Sequence, residues 1–213
     1  MLVSIKIMNT PLIYSPLKAF KYPQHLESIR SEKQIAPVHI RIKPINACNH
    51  HCWYCAYRAD SLELGNQMKI KDRIPSNKMH EIVEDIIAMG VRAVTFSGGG
   101  EPLLYPGLNK FVARLAEKGT QVATLTNGAL LKGEIAQAFA KFGTWVRVSM
   151  DSWDGPSHSK SRGVKETEFD QIILNLKNFT SFQSKCDLGI SFIVNHLNSD
   201  HIFDFCNIVK EAG

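Results

Sequence analysis

The sequence is most informative first in what it lacks. No uninterrupted apolar stretch reaches the eighteen or so residues of a membrane span, and the opening segment "MLVSIKIMNTPLIYSPLK" has no sustained apolar region followed by a small-residue cleavage site. A transmembrane or secreted reading is therefore set aside, and the chain is expected to be cytoplasmic, without a membrane partner. Lysines and arginines exceed acids by 25 to 20, but they are scattered and never form a run of five or six. A dedicated nucleic-acid face is not indicated. Cysteine is scarce too, with five in 213 residues, and an odd number argues against a disulfide framework. No fixed-period repeat and no low-complexity tract is visible.

With 44% hydrophobic and 21% charged residues the chain has the composition of an ordinary domain with a substantial core. Residues 1–36 show no clean period, carry Pro11, Pro16 and Pro23, and read as a mostly irregular N-terminal extension. From residue 37 onward the pattern is regular. "VHIRIK" alternates, with Val38, Ile40 and Ile42 on one face and His39, Arg41 and Lys43 on the other, and Pro44 closes the strand. A helix follows from Ser76 or Asn77 as cap to Gly90 as stop, with apolar residues at 79, 82, 83, 86 and 87.

The alternation then repeats. Strands are expected at 91–97, 121–126, 144–150 and 188–195, and helices at 107–119, 131–143, 166–179 and 199–213. Strand followed by helix, repeated in this way, means parallel strands with helical crossovers, hence an open doubly wound sheet or a full or partial barrel. Both place ligands at the C-terminal ends of the strands. The unusual residues cluster there: the cysteines, "GGGEP", "TNG" and "SMDSWDG" follow strands one to four. The chain stops at a helix-ending glycine with no strand after it, which reads as a fragment.

"ACNHHCWYC" places Cys48, Cys52 and Cys55 in one loop with Cys-x3-Cys-x2-Cys spacing. A [4Fe-4S] cluster held by three thiolates keeps one iron open for chemistry. The alternative is zinc held by the three cysteines and one of His50, His51 or His39. In that case the chain is either a hydrolase or transferase with Glu101 as general base, or a non-catalytic module closed by a structural metal. The residues alone leave both metals open. Cys186 and Cys206 are too separated for a second cluster and read as core residues, Cys206 on a stripe with Ile202, Phe205 and Val209.

The three cysteines, with Tyr54 before the last, resemble the defining motif of the radical S-adenosylmethionine (radical SAM) enzymes. "GGGEP" at 98–102 resembles that family's Gly-Gly-Glu-Pro segment, and "VSMDSWDGPSHSKSRG" resembles the strand-four region of its cyclase and peptide-maturing branches. The matches run from about residue 37 to the end. The resemblance implies an α/β fold, a partial (β/α)6-type TIM barrel truncated after its fifth unit, with 1–36 as extension and 37–213 as radical SAM core. It implies a [4Fe-4S] cluster on Cys48, Cys52 and Cys55, with S-adenosylmethionine chelating the open iron through its amine and carboxylate. Reductive cleavage to a 5'-deoxyadenosyl radical and hydrogen abstraction from a small-molecule or peptide substrate would follow, with a reductase or flavodoxin-type protein as electron donor.

For the cofactor the resemblance assigns Tyr54, beside the last cysteine, and Gly99, Gly100 and Glu101 near the methionine amine. It adds Thr126 and Asn127 for carboxylate or ribose, Ser149 and Asp151 on strand four, Arg162 toward the carboxylate, and Asn195 near adenine or ribose. The competing readings are a glycine loop entering a helix, an Asn-Gly turn, a turn cap at Asp151, a solvated loop arginine and a strand-ending asparagine. Polar His39, Arg41 and Lys43 would face the inside of a barrel and hint at an anionic or strongly polar substrate. His50 and His51 map to no substrate-specific branch.

Overall fold

The computed structural model describes residues 20–58 and 68–213. They fall into two compact units, divided along the chain between Pro37 and Val38. Within the segment expected to be mostly irregular, the first unit contains one helix, α1 (Pro23–Arg30), whose start is set by Pro23 at its first position. His25 Nε2 lies 3.0 Å from the Ala36 carbonyl and folds the segment after the helix back along it. The rest of the expected extension lies outside the described residues.

The second unit is a parallel sheet of five strands, β1 (His39–Ile42), β2 (Ala93–Phe96), β3 (Gln121–Thr126), β4 (Gly143–Ser149) and β5 (Asp187–Ser191), in the spatial order 1-2-3-4-5. Of the two architectures open to the sequence, this order selects one. A doubly wound sheet reverses its strand order at a switch point, whereas strands laid down in sequence form the wall of a barrel. The register aligns Ile40, Val94 and Val122 in one row and Phe96, Thr124, Val146 and Leu188 in the next. These residues face the helices, while Arg41, Thr95, Ala123, Trp145 and Asp187 form a row on the opposite, concave face.

The helices are α2 (Ser76–Ala88), α3 (Leu108–Glu117), α4 (Gly133–Phe142), α5 (Gly155–Arg162), α6 (Thr167–Thr180) and α7 (Ile202–Glu211). Met79, Val83 and Ile86 of α2 and Phe111, Val112 and Leu115 of α3 recur at helical spacing and pack with Val94, Phe96 and Val122 in one core. Each fully buried side chain of this size contributes about 1.5–3 kcal/mol relative to exposure. The cap of α2 is Pro75 rather than Ser76 or Asn77, without a side-chain bond. Between Val122 and Ala123 the β3–β4 register slips, so that Gly143 faces Val122 while Trp145 faces Ala123.

Three expectations are corrected. Helix α5 was not expected, because "GPSHSKSR" has no apolar stripe; its ends make it, through a reciprocal Asp154–Ser157 capping box, Pro156 in the first turn and Gly163 at φ 63. Strand β5 ends at Ser191 rather than residue 195, and Ile193 and Val194 are exposed. Helix α7 begins only after a 3-10 turn, Ser199–His201, and buries Phe205 while Cys206, about 100° further round, is exposed. Cys186 is buried as expected. Among the described residues, no helix is long and apolar enough to cross a membrane.

Candidate active site

The cysteine loop leaves β1 and is held by its neighbours before it begins. Gly100 N donates to the Ile45 carbonyl at 3.0 Å and Glu101 N to the Ala47 carbonyl at 2.9 Å, so the glycine loop after β2 lies directly on the approach to Cys48. The glycines are required by that contact. A Cβ on Gly100 would stand 1.9 Å from the Ala47 oxygen, and one on Gly99 would stand 2.7 Å from Asn46 Oδ1. On the other side, His51 N donates to the Arg162 carbonyl at 2.7 Å, joining the loop to the end of α5.

Behind this loop the strand ends carry a layer of buried polar groups. Glu101 is the centre of it. Its Oε1 accepts from Thr126 Oγ at 2.6 Å and Leu103 N at 3.0 Å, and its Oε2 from Asn127 N at 2.8 Å. The carboxylate therefore ties the end of β2 to the end of β3. Burial pushes the Glu101 carboxyl up to about 7, against the three donors that favour its ionised form. Asn127 closes a turn by accepting from Ala129 N through Oδ1, and its Nδ2 donates to Asn49 Oδ1 at 2.8 Å and lies 4.0 Å from Cys48 Sγ.

The second half of the layer is an ion pair. Arg162 ends α5 and is buried, not solvated; its Nε and Nη2 both reach Asp151 Oδ1, at 3.0 and 2.5 Å, while Nη2 also donates to the Ser149 carbonyl at 3.0 Å. Its Nη1 stands 3.6 Å from Cys52 Sγ. The guanidinium lies 5.5 Å from the centre of the Tyr54 ring, whose buried hydroxyl faces the Asp151 carboxylate without a well-formed hydrogen bond and is held protonated chiefly by desolvation. Asn198 completes the layer, donating to the Asp151 and Ile193 carbonyls at 3.0 and 2.9 Å. Asn195 makes only its own turn, with Oδ1 accepting from Leu197 N. A cavity of about 640 Å³ opens beside this half, lined by Asp151, Asn195, Trp53 and Trp153. Trp153 is stacked on His201 at 3.8 Å.

The three loop cysteines are free and half-buried, and burial raises the thiols of Cys48 and Cys52. Thiolates there need compensation. His50 N lies 3.4 Å from Cys48 Sγ, and Arg162 and Asn127 approach the same pair of sulfurs, which is the donor environment that cluster thiolates take. Ligand sulfurs around one tetrahedral zinc stand about 3.8 Å apart, from the Zn–S bond length. Among the described residues, the group of three metal-ligating side chains within 4.8 Å of one another is His50, His158 and Glu168 rather than the cysteines. None of the proposed fourth zinc ligands is in place: His39 Nε2 lies 2.8 Å from Thr95 Oγ1, His51 Nδ1 lies 2.5 Å from Arg58, and His50 turns toward Glu168.

The strand-end layer thus unites Tyr54, Gly99, Gly100, Glu101, Thr126, Asn127, Asp151 and Arg162 around the cysteines, with Ser149 joined through its carbonyl and Asn195 across the cavity. Sequence reasoning missed Asn198, Asn49, His158 and Glu168. Only His158 carried a signal, as a histidine one turn beyond the Asp154 cap.

With this geometry in view, the comparisons give its class. The profile of the Radical SAM superfamily matches residues 42–207, and the chain belongs to that superfamily, whose enzymes use a [4Fe-4S] cluster and S-adenosylmethionine. Cys48, Cys52 and Cys55 fit its Cys-x3-Cys-x2-Cys motif. The chain is 28% identical over 192 residues to the Fe-coproporphyrin III synthase of Methanosarcina barkeri, covering 90% of this chain and 45% of that protein. It is 29% identical over 177 residues to the GTP 3',8-cyclase of Helicobacter pylori, covering 81% of this chain and 52% of that protein. Its fold resembles Streptococcus suis SuiB bound to S-adenosylmethionine, with a TM-score of 0.64, 20% identity and coverage of 93% of this chain and 45% of SuiB. The chain thus spans about half the length of these relatives.

Proposed function

We propose that this chain is the catalytic core of a radical SAM enzyme, with Cys48, Cys52 and Cys55 as the three cluster ligands and the strand-end layer as the S-adenosylmethionine site. The observation that carries the reading is the placement of the cysteine loop against that layer, with Arg162 at Cys52 and Asn127 at Cys48. Bound there, the cluster and cofactor supply one-electron cleavage of the sulfonium and a carbon radical that takes hydrogen from substrate.

The chain's own groups then have distinct tasks. Gly99, Gly100 and Glu101 present backbone rather than side chain toward the cofactor amine, because the Glu101 carboxylate already has three donors. Its role is to fix the β2 and β3 ends, with Thr126 and Asn127, at the distance the cofactor needs. Arg162 gives Nε and Nη2 to Asp151 and keeps Nη1 toward the cluster side, where it favours anionic sulfur and a carboxylate. Asp151 Oδ2, with Ser161 Oγ at 3.5 Å, suits a ribose hydroxyl, and Trp53, Trp153 and Asn195 suit adenine in the adjoining cavity. Tyr54 packs beneath the guanidinium, and Ser149 extends the same polar line onto the concave face.

For the substrate, the concave face offers Arg41 and Arg147, with Arg147 Nε buried and without a hydrogen-bond partner. An anionic small molecule fits that face better than a neutral peptide, and two relatives are named for nucleotide chemistry, a GTP 3',8-cyclase and an S-adenosylmethionine-dependent nucleotide dehydratase. The electron would come from a reductase or flavodoxin-type donor in the cytoplasm, a reducing setting that suits five free thiols. The test is anaerobic reconstitution, reduction with dithionite and chromatography for 5'-deoxyadenosine. Its formation, dependent on iron and lost in Cys55→Ala, is the expected result; a cluster-loaded protein that leaves S-adenosylmethionine intact would refute the reading.

A further inference from the structure

The cysteine loop carries a histidine that the cluster does not use. His50 lies two residues after Cys48, yet its ring turns inward and is 2% exposed. There it meets His158 of α5, 0% exposed, edge to face with ring centres 5.8 Å apart. Glu168, in the first turn of α6, closes the group. Its Oε1 lies 2.6 Å from His50 Nε2 and 3.9 Å from His158 Nε2. One ligand atom from each of the three side chains lies within 4.8 Å of the others.

Hydrogen bonding does not account for this arrangement. Both ring nitrogens of His50, Nε2 of His158 and Oε1 of Glu168 are buried, and none has a hydrogen-bond partner. His50 Nε2 and Glu168 Oε1 stand at an ion-pair distance of 2.6 Å, yet their geometry does not make a hydrogen bond. Buried polar atoms are almost always paired, so several orphans converging on one place call for a physical cause. Lone pairs directed at a common centre are how ligands surround a cation. The satisfied atom supports this: His158 Nδ1 stands 3.0 Å from Ser152 Oγ, which fixes the ring and leaves Nε2 facing the centre, as outer partners do for histidine ligands. The nearby Arg162 charge is balanced by Asp151.

We propose that His50, His158 and Glu168 form a second, mononuclear site for zinc or another first-row divalent ion, separate from the cysteine centre. Two imidazoles and a carboxylate are a common ligand set for zinc, and the Glu168 side chain, 25% exposed, leaves one direction open for a water to complete a tetrahedron. The ion would join the cysteine loop, α5 and the start of α6. It is a clamp behind the loop, at the point where Gly163 already packs on His51.

The test uses the anaerobically reconstituted full chain, dialysed against zinc alone, with metal analysis and zinc-edge X-ray absorption. The expected result is one zinc per chain beside the iron, with nitrogen and oxygen neighbours at about 2.0–2.1 Å and no sulfur at about 2.3 Å. Glu168→Gln should weaken zinc binding by more than about tenfold, the scale found when only an outer partner of a ligand is lost. Its iron content should not change. Should Glu168→Gln lose its iron as well, His158→Gln supplies the second variant with the same expectation. Absence of zinc, zinc with sulfur neighbours, or nitrogen and oxygen zinc held equally well by both variants would overturn the proposal. Zinc at this site in a chain that takes up no iron would support it while refuting the cluster reading, so the two fail separately.

Discussion

Val94, Phe96, Val122, Val146 and Val148 on the helix-facing side of the sheet, and Glu101, Thr126, Asn127, Asp151 and Arg162 at the strand ends, are all withdrawn from water. They are withdrawn by different physics. The first set is held by area alone and would tolerate any apolar group of similar volume. The second set is held by direction: Glu101 has three donors, and Arg162 spends three nitrogens on Asp151, a carbonyl and a sulfur. A buried ion pair of this kind gains little stability over an apolar replacement. Its presence beside three cysteines marks a layer built to receive charge, while the apolar layer fixes where that layer stands.

The contrast can be broken from either side. Cys52→Ala should have the largest effect, removing cluster and cofactor cleavage together while the fold persists; iron analysis and circular dichroism separate the two. Phe96→Ala should do the reverse, costing about 3–5 kcal/mol in denaturant unfolding with unchanged iron per folded chain. Asp151→Ala moves both readouts, because it leaves the Arg162 charge buried and unpaired, and it should cost about 3–5 kcal/mol while also weakening S-adenosylmethionine binding.

Glu101 sharpens the comparison through pH. Its folded pKa is raised by burial to about 7, above the ordinary value of 4.5, so the folded chain holds the proton more tightly than the unfolded one. The contribution is fully present below pH 4.5 and is lost as pH rises through about 7. The unfolding free energy of the cluster-free chain should therefore fall by up to about 3 kcal/mol as pH rises across that window. Glu101→Gln should flatten the slope, keep the cluster and weaken cofactor binding; a slope unchanged in the variant would assign the titration elsewhere. The smallest effect is expected at the exposed Arg114–Glu84 pair, where Arg114→Ala should leave both stability and iron content as they are.

Much of the apolar layer is legible in the sequence, because the alternation in β1, the stripe of α2 and the repeated succession of strand and helix are properties of neighbouring residues. The polar layer is legible only as a set of positions. That Glu101 and Thr126 belong near one another follows from strand ends in a barrel, but the bond between them depends on the pairing of β2 with β3. The resemblance sends the Glu101 region toward the cofactor amine, whereas the structure has its carboxylate holding two strands. Helix α5 escapes because its signal lies in its ends rather than in a stripe. His50 stands in view within the motif, yet its partners are 108 and 118 residues away and nothing local announces them. Cys206 is misread for the opposite reason: its stripe is genuine, but α7 buries only Phe205 of it.

Electron paramagnetic resonance of the reduced, reconstituted chain, before and after S-adenosylmethionine is added, tests the central claim most directly. The account predicts about four irons per chain and a cluster signal that shifts on addition, because the cofactor occupies the iron that no cysteine holds. A cluster signal that S-adenosylmethionine leaves unchanged, or stoichiometric sulfur-bound zinc with no such signal, would contradict it.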